Sequence, residues 1–465
     1  MKQNVIDEIV KNDLCIGCGI CAGICPQKNL EVQDNKYGEY HPSKIKDCSP
    51  ECGLCLEICP FNSGTENEVQ IGNKIYGNIE EINYRPETGY YLESYVGYSS
   101  EFRQKGASGG MATWLITKLL RDRIVDYVIC PIPQKNPKKL FNFEVVSDVN
   151  SVRDASGSVY YPVEMSQVIQ KILEIPGHYV VTGLPCFIKG LRLASQKNRK
   201  LRERIVVMIG LVCGQMKSKQ YTEYIASLAS NGNSGKLRSV YYRGKSPEKP
   251  PSNYYFLSTN EQGKKYKIFW DEGVSEAWIN RWFTPNACNY CDDVFAELAD
   301  ITFMDAWLPE YSGDSKGTNL VLVRSPEVLT LIQEGEEKGE ITFNKISIEK
   351  VIQSQAGVVD LKRKQHSYRL YLAKQKGQNV PEKRVKASND IRALKKREIK
   401  LKAKMQEKSK EMFLDCSHNN ILDIKTFRAG MHPYIKQNQQ LRLLGKIAHP
   451  IQVIKRITKI KEDKK

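Results

Sequence analysis

Eight of the chain's fourteen cysteines fall in two short runs near its start. "CIGCGICAGICP" places Cys15, Cys18, Cys21 and Cys25 and ends on Pro26. "CSPECGLCLEICP" places Cys48, Cys52, Cys55 and Cys59 and ends on Pro60. The first is the spacing that wraps a [4Fe–4S] cluster: one loop supplies three corners, and the last cysteine reaches across to a neighbouring cluster. Gly17, Gly19 and Gly53 let backbone approach sulfur, and each proline turns the chain away. The sharing rule predicts Cys15, Cys18, Cys21 and Cys59 around one cluster, and Cys25, Cys48, Cys52 and Cys55 around another. The second run departs from the pattern by one residue between Cys48 and Cys52. Structural zinc also uses Cys-x2-Cys pairs, but two runs that each end in Cys-Pro fit zinc poorly. Two adjacent clusters form a relay for single electrons.

Six cysteines remain: Cys130, Cys186, Cys213, Cys288, Cys291 and Cys416. Cys130 closes the apolar run "DYVIC" and reads as a buried core thiol. Cys416 has no neighbour at metal spacing. Cys186 follows "VVTGLP", Cys213 follows "IGLV", and Cys288 and Cys291 open "CNYCDDVFAELADITFMDAW". Loops after the strands of an α/β sheet converge on one edge, where ligands bind. Four cysteines delivered there would make a further four-ligand site. Scattered core cysteines are the plainer reading, and the residues alone leave both open.

The elements that must position these groups are legible in outline. With 41% hydrophobic and 26% charged residues, the chain is neither disordered nor fibrous. No apolar run is long enough to span a bilayer. "MKQNVIDEIVKNDLC" lacks the apolar stretch of a signal peptide, so a cytoplasmic protein is expected, where cysteines serve as ligands rather than disulfides. Residues 1–65 are cysteine-rich, have little apolar content and need metal to hold them. Residues 66–95 read as a linker. From 96 to 345, compact Val/Ile runs ("YVIC", "HYVVTG", "RIVVMIGLVC", "ADITFM", "NLVLV") alternate with helical patterns. An α/β domain with a mixed sheet is predicted. Residues 346–465 read as a helical, basic extension. A charged helix is predicted over 388–413, capped by Ser388 or Asn389, with Pro450 breaking a second basic segment. Residues 381–465 hold 23 Lys+Arg against 9 Asp+Glu, +14 of the net +17. With almost no aromatics there, nucleic-acid binding is not expected; an anionic membrane or an acidic protein is the candidate contact.

"KGASGGMATW" places Ser108, Gly109 and Gly110 at the start of a helix, where free N–H groups favour phosphate. A plain N-cap explains the same residues. "GASGG" also satisfies G-x-S-x-G, but no apolar strand leads into the serine, as a nucleophile elbow requires. Asp292, Asp293, Glu297, Asp300 and Asp305 follow the last cysteine pair. They would tune a nearby cluster, although Asp292 and Asp293 read equally as a solvated loop. Asp305, after a strand, is the better functional candidate.

Together "GASGGMATWLITKLL", "GSVYYP", "VVTGLPCFIKGLR", "GLVCGQ", "CNYCDDVFAELADITFMDAW" and "GTNLVLV" resemble the coenzyme F420 hydrogenase/dehydrogenase beta-subunit family, with a ferredoxin-like front domain. The resemblance spans about residues 1–345. It implies FAD, and a third [4Fe–4S] cluster on Cys186, Cys213, Cys288 and Cys291. It sets the flavin phosphate at Ser108, Gly109 and Gly110. Thr182, Gly183 and Pro185 then lie near the ring system, with Ser158, Tyr160 and Asp305 as further contacts. Met304 stands where the family carries glycine, and "TGLPC" departs from its commoner "GTPC", so the pocket's shape is open. The function implied is an iron–sulfur flavoprotein oxidoreductase. It would join ferredoxin-type clusters to a coenzyme F420-like or other conjugated hydride carrier, with a redox partner protein. A non-catalytic electron-transfer subunit is the alternative.

Overall fold

The computed structural model describes residues 3–49, 51–418 and 421–447. An eight-stranded mixed sheet forms its centre. Across the sheet the strands run Ile341–Lys345, Glu93–Ser99, Asn319–Val323, Ile301–Asp305, Ile205–Leu211, Tyr179–Gly183, Tyr127–Asn136 and Lys139–Val146. Ile301–Asp305, Ile205–Leu211, Tyr179–Gly183 and Tyr127–Asn136 are mutually parallel, and the outer pairings are antiparallel. These parallel strands are the compact Val/Ile runs of the sequence. A strand covered on both faces reads as continuously apolar. Register sets Thr182 beside Ile209 and Phe303 beside Leu211. Thr182, Cys213 and Asp305 therefore reach one edge, at the carboxyl ends of the parallel strands.

Helix Met111–Arg121 covers one face. Its Met111, Trp114, Leu115 and Leu119 pack with Val328 and Ile332 of helix Pro326–Glu337 onto Val128, Val180 and Val321. Lys118 interrupts the apolar pattern yet is buried, held by Asp122 at 2.7 Å and Glu334 at 3.3 Å.

The other face carries helices Ser166–Glu174 and Pro185–Lys197, with the cysteine-rich front segment packed on them. Ile9, Ile20, Ile58 and Phe61 share one core with Ile169, Phe187 and Leu191. The main domain thus completes a core that the front segment is too small to build alone. The Cys18 carbonyl accepts the Met165 N–H at 2.8 Å across this junction. Gly19 sits at φ 75°, where a Cβ would fall 3.0 Å from the Ser166 nitrogen. Only glycine meets both demands.

Residues 66–95 are more structured than a linker pattern suggests. They form helix Glu68–Tyr76, capped by Asn67, and a hairpin of Asn83–Arg85 with Gly89–Tyr91. A three-stranded sheet of Leu237–Gly244, Tyr255–Asn260 and Lys265–Phe269 has no counterpart in the sequence reading.

The charged helix runs Ala393–Asp415, with Arg392 at its N-cap in place of Ser388 or Asn389. Ser388 instead donates its N–H to the Ser367 carbonyl, which keeps that stretch extended. The helix pairs with Ile424–Ile447. Phe413 and Phe427 join Tyr224 and Phe283 in an aromatic cluster that fastens the pair to the body. The break at Pro450 lies outside the described residues. No helix among those described is long and apolar enough to cross a membrane.

Candidate functional site

The two front runs fold as paired loops. Burial pushes the Cys21 thiol well up, reinforced by Cys18, Cys15 and Cys59 beside it. Cys55 is raised in the same way by burial and by Cys48 and Cys52. Asn29 links Cys25 to this second group: its N–H donates to Cys25 Sγ at 3.4 Å and its side-chain amide to the Asp47 carbonyl at 2.9 Å. Gly17 N–H donates to Cys15 Sγ and Val5 N–H to Cys55 Sγ, both at 3.4 Å. Metal binds such groups as thiolates and releases their protons to solvent. Backbone donors to sulfur then stabilise the thiolates.

The four scattered cysteines come together in the main domain. Cys186 is the second residue of helix Pro185–Lys197, and Cys213 lies just past strand Ile205–Leu211. Cys288 sits in the short turn Asn286–Tyr290, followed by Cys291. Burial drives the Cys186 thiol far up, and Cys291, Cys213 and Cys288 add to it. Among the described residues, no three His, Cys, Asp or Glu side chains converge closely enough to hold a single metal ion.

Buried cations surround these sulfurs. Lys362 Nζ donates to Cys291 Sγ at 3.1 Å, and Met216 N–H to Cys288 Sγ at 3.3 Å. Burial works against the Lys362 ammonium, but Cys291 and Cys213 outweigh it and hold its pKa above the ordinary value. Arg281 is 4% exposed; among the described residues its Nε and Nη1 have no hydrogen-bond partner, and Cys288 and Cys213 are the groups opposite it. Four thiolates would supply the counter-charge that Arg281 lacks. The residues fit an anionic cluster at this point.

The acidic stretch beside Cys291 is not a solvated loop. Asp292, Asp293 and Glu297 are almost fully buried. Arg384 grips Glu297 through two nitrogens at 2.6 and 2.9 Å and reaches Asp292 at 3.4 Å, while Arg363 adds 3.3 Å to Glu297. These arginines lie 66 or more residues from the acids they neutralise, so local sequence carries no sign of the pairing.

A cavity of about 570 Å³ opens beside the cysteines, and Cys213 is part of its wall. Ser108, Gly110, Ser158, Tyr160, Thr182, Gly183 and Asp305 also line it, whereas Gly109 and Pro185 lie behind the wall. The adjoining helix begins only at Met111, whose N–H is taken by Asn319 Oδ1 at 3.2 Å. Its first-turn residues Ala112 and Thr113 face the cavity, with N–H groups that have no partner within the helix. Ser108 Oγ donates to the Thr318 carbonyl at 2.7 Å, so it shapes the loop rather than reaching inward. Lys245 ties that loop down, donating to the carbonyls of Arg103, Ser108 and Lys316.

Asp305 holds Arg243 through two contacts of 2.8 and 3.0 Å. Arg243 packs over the Tyr254 and Trp307 rings at 4.7 and 5.8 Å. Its Nε is buried and has no hydrogen-bond partner among the described residues. Arg243 and Tyr254 escaped the sequence reading because they come from or beside the three-stranded sheet. A cavity with helical N–H groups and an arginine with aromatics in its wall fits a dinucleotide-type flavin.

Comparison with known proteins agrees with this layout. Residues 94–170 and 177–349 match the N-terminal and C-terminal models of the coenzyme F420 hydrogenase/dehydrogenase beta subunit, and residues 14–63 match a 4Fe-4S dicluster domain. The chain is 24% identical over 334 residues to a subunit of the F(420)H(2) dehydrogenase of Methanosarcina mazei, a match spanning 69% of this chain and 82% of that one. It is 26% identical over 194 residues to the coenzyme F420-dependent sulfite reductase of Methanocaldococcus jannaschii, covering 41% of this chain and 27% of that protein. A chain of the F420-reducing [NiFe] hydrogenase complex of Methanosarcina barkeri aligns with a TM-score of 0.48 and 17% identity, over 62% of this chain and 96% of that one. The two beta-subunit matches together cover more than half of the sequence, and the chain belongs to the coenzyme F420 hydrogenase/dehydrogenase beta-subunit family, with a 4Fe-4S dicluster domain at its front.

Proposed function

We propose that the chain is an iron–sulfur flavoprotein oxidoreductase that moves electrons between ferredoxin-type clusters and a conjugated hydride carrier, coenzyme F420 or a similar molecule, through FAD. One observation carries this reading. Cys213 stands opposite Cys186, Cys288 and Cys291 and also lines the cavity that holds most of the flavin candidates. A cluster on those thiolates and a flavin in that cavity would share a wall.

FAD supplies two-electron hydride chemistry and the clusters supply single-electron transfer. The chain's own residues bind and exclude. Ala112 and Thr113 offer N–H groups for phosphate, and Arg243 offers its free Nε to an acceptor in the cavity. Tyr160, Tyr254 and Trp278 keep that end dry and suit a flat ring. The front segment brings its own cysteines to the helix that begins with Pro185 and Cys186. Gly190 of that helix lies against Ile20 and Pro60. The order of electron sites in this reading is the Cys25/Cys48/Cys52/Cys55 group, the Cys15/Cys18/Cys21/Cys59 group, the main-domain group, then the flavin.

Coenzyme F420 enters this reading from the names of the two relatives. A second reading, an electron-transfer subunit without turnover of its own, draws on the relative that is itself a dehydrogenase subunit. Iron and flavin content of anaerobically purified protein tests the first. About twelve iron and one FAD per chain are expected, since three [4Fe–4S] clusters need that iron. About eight iron with FAD would remove the main-domain cluster from the scheme. Turnover of reduced coenzyme F420 by the isolated chain, with a ferredoxin-type acceptor, separates the two readings.

A further inference from the structure

The family match ends at residue 349, but the chain beyond it reaches into the space between two cysteine groups. Residues 382–384 cross that junction outside any helix or strand. Glu382 N–H donates to Ser63 Oγ at 3.1 Å on the front segment. Lys383 Nζ donates to the Pro60 carbonyl at 3.1 Å and lies 5.1 Å over the Phe61 ring. Arg384 turns the other way, to Glu297 and Asp292 of the main domain. Val380, Val385 and Ala387 pack against the shared core on either side.

Lys383 therefore meets the front segment one residue from Cys59, and the next residue along, Arg384, meets Asp292, one residue from Cys291. Cys59 belongs to the front group with Cys15, Cys18 and Cys21, and Cys291 belongs to the main-domain group. A positive charge beside a cluster favours its more negative, reduced form, and in a poorly solvated junction the effect is not screened away.

We propose that Lys383 is a positioning residue of the relay: one ammonium, supplied from beyond the family match, raises the reduction potentials of the two clusters it stands between. This rests on the reading that both cysteine groups hold clusters. The Cys25/Cys48/Cys52/Cys55 group lies outside the contacts of Lys383 and serves as an internal reference.

The test is an EPR-monitored potentiometric titration of the full chain, with iron measured on every sample. Wild type is compared with Lys383→Gln, Lys383→Met, Lys383→Arg and the exposed control Lys400→Met. The expected result is a downward shift of two of the three cluster potentials in Lys383→Gln and Lys383→Met, with the third unmoved, recovery in Lys383→Arg, and no change in Lys400→Met. Lys383→Gln keeps a donor for the Pro60 carbonyl, so it carries the result if Lys383→Met loses iron. Unchanged potentials in a fully iron-loaded Lys383→Gln would overturn the proposal, and so would an equal shift in Lys400→Met. A wild type with no more than about eight iron would instead overturn the three-cluster reading beneath it, which the iron assay shows separately.

Discussion

Lys362 Nζ donates to Cys291 Sγ at 3.1 Å and to the Asp293 carbonyl at 2.6 Å. A lysine 2% exposed has no reason to be there unless negative charge meets it. The sulfur it touches is neutral as a thiol and negative as a ligand. On the function proposed above, Lys362→Met removes half of a pair whose other half is a cluster ligand. Iron should fall from about twelve to about eight per chain, since one [4Fe–4S] cluster is lost and the front pair is kept. Full iron in Lys362→Met would show that the lysine serves only the Asp293 carbonyl.

Cys130 and Cys213 both line the cavity, which makes them a matched pair for a test of roles. Burial alone pushes the Cys130 thiol up to about 12, with no other cysteine contributing. Cys213 is also raised by burial, to about 12, but Cys288 and Cys291 stand beside it. Cys213→Ser should lose about four iron and retain FAD. In that variant a hydride donor should still bleach the flavin, while the front clusters stay oxidised. Cys130→Ser should keep both cofactors. Stopped-flow absorbance with parallel iron assays reads each outcome. Loss of cluster in both variants would mean that the cavity wall, not the ligand set, had been disturbed.

How much of this was readable from the sequence differs between the two halves of the site. The front cysteines announce themselves because all eight lie within 45 consecutive residues, and local spacing fixes which sulfurs can share a loop. The parallel strands are legible for a similar reason: burial on both faces leaves continuous Val/Ile runs. Cys186, Cys213, Cys288 and Cys291 are different. Only the sheet register brings them to one edge, and register is not a local property. The charges around them are hidden more deeply. Lys362, Arg363, Lys383 and Arg384 look like ordinary members of a basic tail, yet each meets a partner far away in sequence. Asp292 and Asp293 look solvated for the complementary reason. A count of charge along the chain cannot distinguish an exposed lysine from one that neutralises a buried acid.

The Arg243–Asp305 pair makes a sharper demand than an exposed ion pair. The side chains are 5% and 21% exposed. Asp305→Asn leaves the guanidinium buried beside a neutral amide, which costs about 3 kcal/mol by the usual penalty for breaking a buried pair. Replacing both, Arg243→Met with Asp305→Asn, should cost less than Asp305→Asn alone, because no charge is then stranded. Denaturant unfolding of wild type, Asp305→Asn, Arg243→Met and the double variant measures the difference. Additive losses would mean that the two groups are not coupled. Flavin retention should follow a different order, lowest wherever Arg243 is missing, if its free Nε faces the bound ring.

His366 gives the fold an acid limit. The residue is fully buried in helix Lys364–Gln375, and among the described residues the Lys362 backbone is the one hydrogen-bonding group that favours its charged form. Burial, with Arg369 and Lys383 adding to it and Asp292 opposing, pushes the imidazole down to about 3. The unfolded chain's imidazole takes up its proton near the ordinary value of 6.5. Between those two values the unfolded state binds the extra proton and the folded state does not. Stability from this residue is therefore intact above pH about 6.5 and is lost as the pH falls toward about 3, by about 2 kcal/mol at pH 5. His366→Leu removes the titration without removing the bulk. Anaerobic unfolding at pH 7 and pH 5 should show wild type losing about 2 kcal/mol more than the variant over that interval. Equal losses would mean that His366 is protonated in the folded chain, with the Asp292 carboxylate stabilising the imidazolium.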